Sequence, residues 1–290
     1  MKSQKSFQPQ DVGTLFIIPT PIGNLEDMTP RAIRLLKEVT VIAAEDTRNT
    51  KKLCHVFEIQ TPLTSYHEHN KEESGRYLVE RLLRGEDVAL VSDAGMPAIS
   101  DPGYELVQQA IEESISVVPI PGANAALTAL VGSGLVPQPF TFYGFLPRGK
   151  KDRISVLEKW KNHEASIIFY EAPHRLNEML MAIHTVWGNR SAVLCRELTK
   201  RYEEYIRGTL EELVEWSKNE QIRGEFVVIV EGNSNPETIE ETPWWEELTI
   251  NEHVDNIMKE SGITSKEAIK EVAKQRSLSK REVYQSYHVH

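Results

Sequence analysis

The segment 91–103 constrains the fold more than any other stretch of the chain. Two glycines, two prolines and two aspartates fall within the eleven residues 93–103, directly after the apolar run 88–91. Glycine permits positive φ, and proline fixes φ and removes an N–H donor, so neither a helix nor a strand can run through this segment. A constrained loop at the carboxyl end of a strand is where α/β sheets bind ligands. We therefore predict a ligand site here, because a plain connector needs only about two to six residues.

The loop 91–103 belongs to an alternating β/α pattern in the first half of the chain. Apolar runs predict strands at 14–18, 41–44, 63–66, 88–91 and 116–119. The segments 19–24, 45–48 and 120–124 leave three of these strands as further polar or glycine-bearing loops. Parallel pairing would bring all these loops to one edge of the sheet. We also expect Ser100 and Asp101 to cap a helix over 104–113, with Pro102 in its first turn.

The second half of the chain predicts a second α/β unit and a helical end. Residues 138–153 are rich in proline and glycine and are interpreted as a linker. Strands are predicted at 166–170, 192–195, 202–207 (antiparallel) and 226–230, with helices between them. The predicted domains are 1–137 and 138–232, an acidic linker at 233–247, and a helix-turn-helix-like module at 248–290. In that module Ala268, Ile269 and Val272 are expected on one packed face, and Leu278, Val283 and Tyr284 on the other.

Composition and charge limit the class of protein. No apolar run approaches the roughly 18 residues of a membrane span, and the polar start 1–11 lacks the apolar centre of a signal peptide. Cys54 and Cys195 are expected to be reduced core thiols, so we predict a cytoplasmic protein without membrane partners. The net charge of −10 argues against a nucleic-acid partner, although basic segments at 147–153 and 259–281 oppose that average locally.

The familiar ligand motifs are missing. No glycine-rich phosphate loop, no Gly-x-Ser-x-Gly elbow and no His-Glu-x-x-His sequence occurs. His67 and His69 lack an identifiable third ligand, so they are interpreted as part of a polar loop and no metal site is predicted. The residues alone therefore predict an α/β protein with a small-ligand site built from several tight loops.

Five ordered motifs resemble those of the tetrapyrrole-methylase superfamily. They are PTPIGNLED at 19–27, AEDTR at 44–48, SDAGMPAISDPG at 92–103, IPGAN at 120–124 and YEAPHR at 170–175. They are most similar to the ribosomal branch, whose members 2′-O-methylate a cytidine of the decoding centre, cytidine 1402 of 16S rRNA. The similarity covers residues 14–230, and the segment 265–284 resembles that branch's C-terminal helices.

This resemblance implies a fold, a methyl donor and partners. It implies two α/β domains of the tetrapyrrole-methylase type with a ligand cleft between them, plus a small C-terminal helical module. The cleft would hold S-adenosylmethionine, with S-adenosylhomocysteine as product, in a homodimer that acts on 16S rRNA within the small ribosomal subunit. The donor contacts that it implies are Pro21, Ile22, Asp93, Ala94, Gly95, Met96, Pro97, Ile99, Ala123, Asn124, Ala125, Tyr170, Arg196 and Glu225.

The reaction itself suggests further candidate residues. A ribose hydroxyl is a poor nucleophile and benefits from a base, for which Glu45 and Asp46 are candidates, with Arg48 binding a phosphate. The alternative for this pair is structural, with Asp46 capping the next helix and Arg48 pairing with it. Backbone contacts to rRNA are predicted from Arg148, Lys150, Lys151, Arg153, Lys280 and Arg281.

Two other functions stay open at this point. An enzyme of the same fold could methylate a tetrapyrrole or a protein side chain. A non-enzymic protein could use the α/β part as a ligand sensor and the C-terminal helices to bind nucleic acid. Loss of the basic C-terminal segment would weaken rRNA modification but would hardly affect a tetrapyrrole enzyme.

Overall fold

A computed structural model describes residues 3–6, 8, 11–234, 244–246 and 248–288 of the 290-residue chain. The described residues fall into two compact units, one before residue 237 and one after it. The predicted acidic linker 233–247 lies largely outside the described residues. No helix in the described residues is long and apolar enough to cross a membrane.

The first half of the larger unit is a five-stranded parallel sheet with helices between its strands. The strand order is β3-β2-β4-β1-β5, and every pair is parallel. Its elements are β1 (Thr14–Ile17), α1 (Pro30–Glu38), β2 (Val41–Ala44), α2 (Thr47–Val56), β3 (Leu63–Ser65), α3 (Lys71–Leu83), β4 (Val88–Val91), α4 (Tyr104–Glu112), β5 (Ser116–Pro119) and α5 (Ala125–Ser133). All the βα loops therefore leave the same edge, as the alternating pattern predicts.

The second half is a mixed sheet with the order β6-β7-β10-β8-β9. Its elements are β6 (Phe140–Phe145), α6 (Lys150–Trp160), β7 (Ser166–Glu171), α7 (Pro173–Trp187), β8 (Ser191–Arg196), β9 (Glu204–Thr209), α8 (Leu210–Asn219) and β10 (Phe226–Val230). The pairing of β6 with β7 is parallel and the other three pairings are antiparallel, including the predicted antiparallel β9. The capping box of Thr209 and Glu212 opens α8.

Helix α5 joins the two sheets. Ala126, Ala129 and Leu130 on this helix share one buried cluster with Ile168 and Val227 of the second sheet. The small side chains of Ala126 and Ala129 let the helix axis approach the second sheet closely. The carboxyl edge of the first sheet is thereby held facing the second sheet.

Two sequence predictions are wrong in this unit. Residues 138–153 are not a linker, because strand β6 lies within them and pairs with β7 through a register shift between Phe142 and Gly144. Helix α4 is capped by Gly103 at φ +150°, without a side-chain cap, so Ser100 and Asp101 do not cap it and Pro102 precedes it.

In its described part, residues 244–246 and 248–288, the C-terminal unit is a cluster of three helices, α9 (Ile250–Ser261), α10 (Ser265–Gln275) and α11 (Lys280–His288). Its buried side chains include Ala268, Ile269 and Val272, as expected, together with Val283. The prediction that Leu278 and Tyr284 support this core is wrong, since they are 37% and 54% exposed.

Candidate functional site

A cavity of about 490 Å³ lies between the two sheets, at the carboxyl edge of the first. The loops after β4 and β5 form one side of it, and the ends of β7, β8 and β10 form the other. Its lining comprises Ile22, Ala94, Gly95, Met96, Ile99, Ser100, Asp101, Asn124, Ala125, Phe145, Tyr170, Glu171, Ala172, Pro173, Cys195, Glu197, Leu198, Lys200, Glu225, Phe226 and Val227. This volume suits a small organic ligand, since such cavities hold about 300–1,000 Å³.

The first-sheet side of the cavity has a fixed backbone. Thr20 and Gly95 exchange two backbone hydrogen bonds of 3.0 Å, which tie the loop after β1 to the loop after β4. The Ser92 hydroxyl donates to the Gly95 carbonyl at 3.1 Å, and the Thr20 hydroxyl donates to the Ser92 carbonyl at 3.1 Å. Gly95 has φ +81°, a left-handed conformation that favours glycine. The backbone at this edge is therefore preorganised for a ligand.

Tyr170 anchors the second-sheet side. Its hydroxyl oxygen accepts a hydrogen bond of 3.2 Å from the Ala126 amide, at the start of α5. Its ring packs edge-on against Phe142 and Phe145 at centroid distances of 4.9 and 5.7 Å. Burial raises the pKa of Tyr170, and the charge of Asp101 adds to that rise. A neutral phenol thus fixes the strand β7 to the helix that connects the sheets.

The charged side chains of the cavity lining are mostly acidic. The lining contains one cation, Lys200, whose Nζ lies 3.0 Å from Glu197 Oε1 and 2.9 Å from Glu225 Oε2. It also contains the carboxylates of Asp101 and Glu171. Burial lowers the pKa of Lys200, but the hydrogen bonds to Glu225 and Glu197 outweigh it and the pKa is raised. An excess of carboxylates favours a ligand that carries positive charge.

Two enclosed groups complete the cavity walls. The Glu171 side chain has no exposed area; its Oε1 accepts the Ala172 amide at 2.9 Å, and Arg175 lies 3.4 Å from Oε2. Burial raises the pKa of Glu171. Burial also raises the pKa of Cys195 to about 12, so this free thiol is an unreactive part of the wall. Cys54 is buried and free as well, as the sequence predicts.

The predicted catalytic residues lie beside the cavity and do not line it. Asp46 caps α2 by accepting the Arg48 amide at 2.8 Å, and Arg48 Nη2 lies 2.7 Å from Asp46 Oδ2. These contacts lower the pKa of Asp46 to about 2, which makes it a weak proton acceptor. The contacts of Asp46 and Arg48 therefore agree with the structural alternative, in which Asp46 caps the next helix and Arg48 pairs with it. Glu45 differs, because burial and the neighbouring Asp101 raise its pKa.

Nine of the predicted donor contacts line the cavity together. They are Ile22, Ala94, Gly95, Met96, Ile99, Asn124, Ala125, Tyr170 and Glu225. Pro21 and Asp93 line a neighbouring hollow of about 320 Å³, and Ala123 lines another. Pro97 is buried behind the loop, and Arg196 forms an ion pair with Glu204. Their contacts with a donor stay a prediction.

Sequence reasoning missed part of the lining, chiefly on the second sheet. Ser100, Asp101 and 171–173 lie inside motifs that the sequence analysis identified, so position within those motifs was an available signal. Phe145, Cys195, Lys200 and their neighbours come together only through the strand order β6-β7-β10-β8. No local pattern in the sequence specifies that order.

The predicted RNA contacts divide into exposed residues and one buried residue. Arg148 is exposed just before α6, Lys150 and Lys151 are exposed in its first turn, and Lys280 and Arg281 are exposed at the start of α11. The prediction for Arg153 is wrong, because it is only 1% exposed and its guanidinium pairs with Glu178. A buried arginine needs such a partner and is not available to a phosphate.

Among the described residues no group of three or more potential metal ligands occurs.

Comparisons with known proteins identify the family. The profile of the family described as Tetrapyrrole (Corrin/Porphyrin) Methylases matches residues 14–214. The chain belongs to the tetrapyrrole methylase family. Family members named "Ribosomal RNA small subunit methyltransferase I" are similar over almost their full length. The one from Bacillus subtilis is 58% identical over 100% of this chain and 99% of its own, and the one from Halalkalibacterium halodurans is 57% identical over 99% of each.

A solved structure of a methyltransferase shares the fold. Uroporphyrin-III C-methyltransferase from Thermus thermophilus, in complex with S-adenosylhomocysteine, matches 76% of this chain and 97% of its own with a TM-score of 0.54. The identity is 17%, so this likeness concerns the fold alone. The predicted fold class is confirmed: the chain is α/β and of the tetrapyrrole-methylase type, with two sheets covered by helices and with C-terminal helices after them. The predicted domain bounds stay a prediction.

Proposed function

We propose that this chain is an S-adenosylmethionine-dependent methyltransferase that methylates the 2′-hydroxyl of cytidine 1402 in 16S rRNA. The observation that carries the proposal is the 58% identity, over the whole chain, to a protein named for methylation of small-subunit rRNA. The choice of ribose oxygen and of nucleotide extends the resemblance of the five motifs, and it is the finer part of the proposal. The assembled small subunit is the proposed substrate, and a homodimer is the proposed state of the enzyme.

The cavity supports the proposed methyl donor. S-Adenosylmethionine carries a sulfonium and an ammonium group against one carboxylate, and four carboxylates and one lysine line the cavity. Ile22, Met96 and Leu198 supply apolar surface for an adenine ring. The donor brings a methyl group on a positively charged sulfur, which is ready for transfer. The residues of this chain have to bind it, orient it and keep water away from it.

Positioning is the main task of the protein in this reaction. Holding two reactants in line can supply roughly 7–11 kcal/mol of the barrier, provided that the binding groups are rigid. The paired loops at Thr20 and Gly95, and the contact of Tyr170 with Ala126, give the cavity such rigidity. The exposed basic residues Arg148, Lys150 and Lys151 would bind rRNA phosphates outside the cavity.

A transfer experiment tests the proposal. Small ribosomal subunits from cells that lack this protein are incubated with the full chain and radiolabelled S-adenosylmethionine, and the label is mapped by nuclease digestion. We expect one labelled nucleotide, with the methyl group on the ribose oxygen of cytidine 1402. Free 16S rRNA serves as the comparison substrate and should be labelled more slowly than the assembled small subunit. Donor binding by calorimetry without any label on rRNA would overturn the proposed acceptor.

A further inference from the structure

Asp101 is the carboxylate that lies between the cavity and three acidic residues beside it, Glu45, Asp46 and Asp93, which are joined by hydrogen bonds to the Asp93 and Asp46 amides and are called the polar edge here. It lines the cavity, and it also lies near Glu45, since its charge contributes to the raised pKa of Glu45. Its charge also reaches Tyr170 on the opposite wall. The Ser92 hydroxyl and Asp93 lie beside it. A donor inside the cavity and a hydroxyl that enters from the polar edge would therefore meet at Asp101.

We propose that the Asp101 carboxylate is the base that accepts the proton of the ribose hydroxyl during methyl transfer. This inference rests on the proposed function and adds a catalytic residue to it. The bond from the ribose oxygen to the methyl carbon forms, while the bond from that carbon to sulfur breaks. The electron pair of the broken bond stays on sulfur, which becomes neutral, and the hydroxyl proton moves to the carboxylate. Charge balances, because one cation and one carboxylate give two neutral groups.

The other candidate bases are less suited to this task. Asp46 has a pKa of about 2, and both of its oxygens are engaged by Arg48. Glu45 is outside the cavity lining, and its Oε2 faces the backbone amide of Asp93 at 3.5 Å. Glu171 is fully enclosed and pairs with Arg175. Asp101 alone among these four lines the cavity where an entering hydroxyl could reach it and lies close enough to Glu45 for its charge to raise the pKa of Glu45.

The surroundings of Asp101 favour proton acceptance. The ionisable groups that face it are Glu45 from the loop after β2, Asp93 from its own loop and Tyr170 from β7. Burial raises the pKa of Asp101, the Ser92 hydroxyl lowers it and the charge of Asp93 raises it, with a net rise. A base is most effective when its pKa approaches the working pH while it remains ionised. This environment moves the carboxyl in that direction.

The test compares Asp101→Asn and Asp101→Glu with Asp11→Asn, a matched control. Asp11 is exposed and precedes β1, so it lies at the opposite edge of the sheet from the cavity. With unmodified small subunits and saturating donor, we expect Asp101→Asn to lower the single-turnover rate by roughly 10²-fold or more. Asp101→Glu should restore part of the rate, and Asp11→Asn should leave it unchanged. The Kd for S-adenosylmethionine, measured by calorimetry, should change far less than the rate.

A pH profile separates a base from a structural residue. The wild-type rate should rise with pH through an acidic limb, as Asp101 loses its proton, and then level off; Asp101→Asn should lack this limb. Glu45→Gln should keep the limb, because Glu45 is not the base. Asp93→Asn should keep the limb and move it to lower pH, because the charge of Asp93 raises the pKa of Asp101. A wild-type rate and limb in Asp101→Asn would overturn the inference while leaving the proposed function intact. If Asp101→Asn no longer binds the donor, Asp101 is needed for the structure of the loop, and its role as a base is overturned. If the wild type transfers no methyl group to rRNA, the proposed function fails, and this inference fails with it.

Discussion

Gly103 ends the cavity loop at a position where core side chains leave no room for a Cβ atom. It has φ +150°, and a Cβ there would lie 2.9 Å from both Ala98 Cβ and Leu90 Cδ2. Leu90 belongs to β4 and is buried, so its side chain cannot move into solvent. The position therefore combines an unusual backbone conformation with a close approach. Both effects follow from the loop having to return from the sheet edge directly into α4.

Substitution of Gly103 should cost more stability than backbone strain alone. Gly134 is a matched control, since it has φ +84° but no atom within 4 Å of its added Cβ. We expect Gly134→Ala to lower the free energy of unfolding by about 1–3 kcal/mol through strain. Gly103→Ala should lose a further ~1–3 kcal/mol through overpacking. Urea unfolding followed by circular dichroism measures both, and equal losses would contradict the close-packing argument.

At the scale of elements, the sequence predicts those parts of the fold that local signals determine. The strands β4, β5 and β10 match their predicted ranges because continuous apolar runs end at turn residues. Helix α1 begins at Pro30 under a Thr29 cap, as its sequence indicates. Strand β6 is missed because its glycine and flanking prolines are also typical of a linker. The mixed strand order, and with it the second wall of the cavity, depends on pairings between distant segments.

The helix α9 contains a histidine whose contacts suit its neutral form. His253 is fully buried and stacks on Trp245 at a centroid distance of 5.3 Å. Its Nδ1 accepts a hydrogen bond from Arg276 Nε at 3.1 Å, and its Nε2 lies 3.1 Å from Gln275 Oε1. With Nδ1 accepting and Nε2–H donating, the neutral ring satisfies both partners. Protonation of His253 would put an N–H on Nδ1, facing the guanidinium of Arg276, which is itself a donor.

The C-terminal helices should therefore lose stability in mild acid. Burial lowers the pKa of His253 below 6.5, and the charge of Arg276 lowers it further, against the hydrogen bond of Gln275. The folded state then binds fewer protons than the unfolded state below pH 6.5. The stability that neutral His253 contributes to the folded state is fully present above pH 6.5, and it decreases as the pH falls towards the folded-state pKa of His253. Amide exchange in the full chain, corrected for intrinsic rates, should show protection of α9–α11 falling over this range. Unchanged protection of these helices would contradict the prediction.

At the scale of the whole molecule, the overall charge of −10 conceals two exposed basic groups. One comprises Arg148, Lys150 and Lys151 in the larger unit, and the other comprises Lys280 and Arg281 in the C-terminal unit. Acidic side chains elsewhere repel a polyanion, so a ribosomal substrate would have to be bound through such local groups. Net charge alone argues against the rRNA substrate that we propose for this chain.

The salt dependence of binding tests whether both groups contact the same rRNA. Each phosphate contact contributes roughly 0.7–0.9 to the slope of log K against log salt concentration. Arg148, Lys150 and Lys151 changed together to Gln should reduce the slope by about 2–3, and Lys280 and Arg281 changed to Gln by about 1.5. If one small subunit engages both groups, the five changes combined should reduce it by about four. Lys37→Gln with Lys218→Gln, which alters exposed lysines on α1 and α8, is the control and should leave the slope unchanged. Filter binding to unmodified small subunits measures the slope. If the combined variant reduces the slope no more than the larger of the two partial variants does, only one basic group binds the substrate.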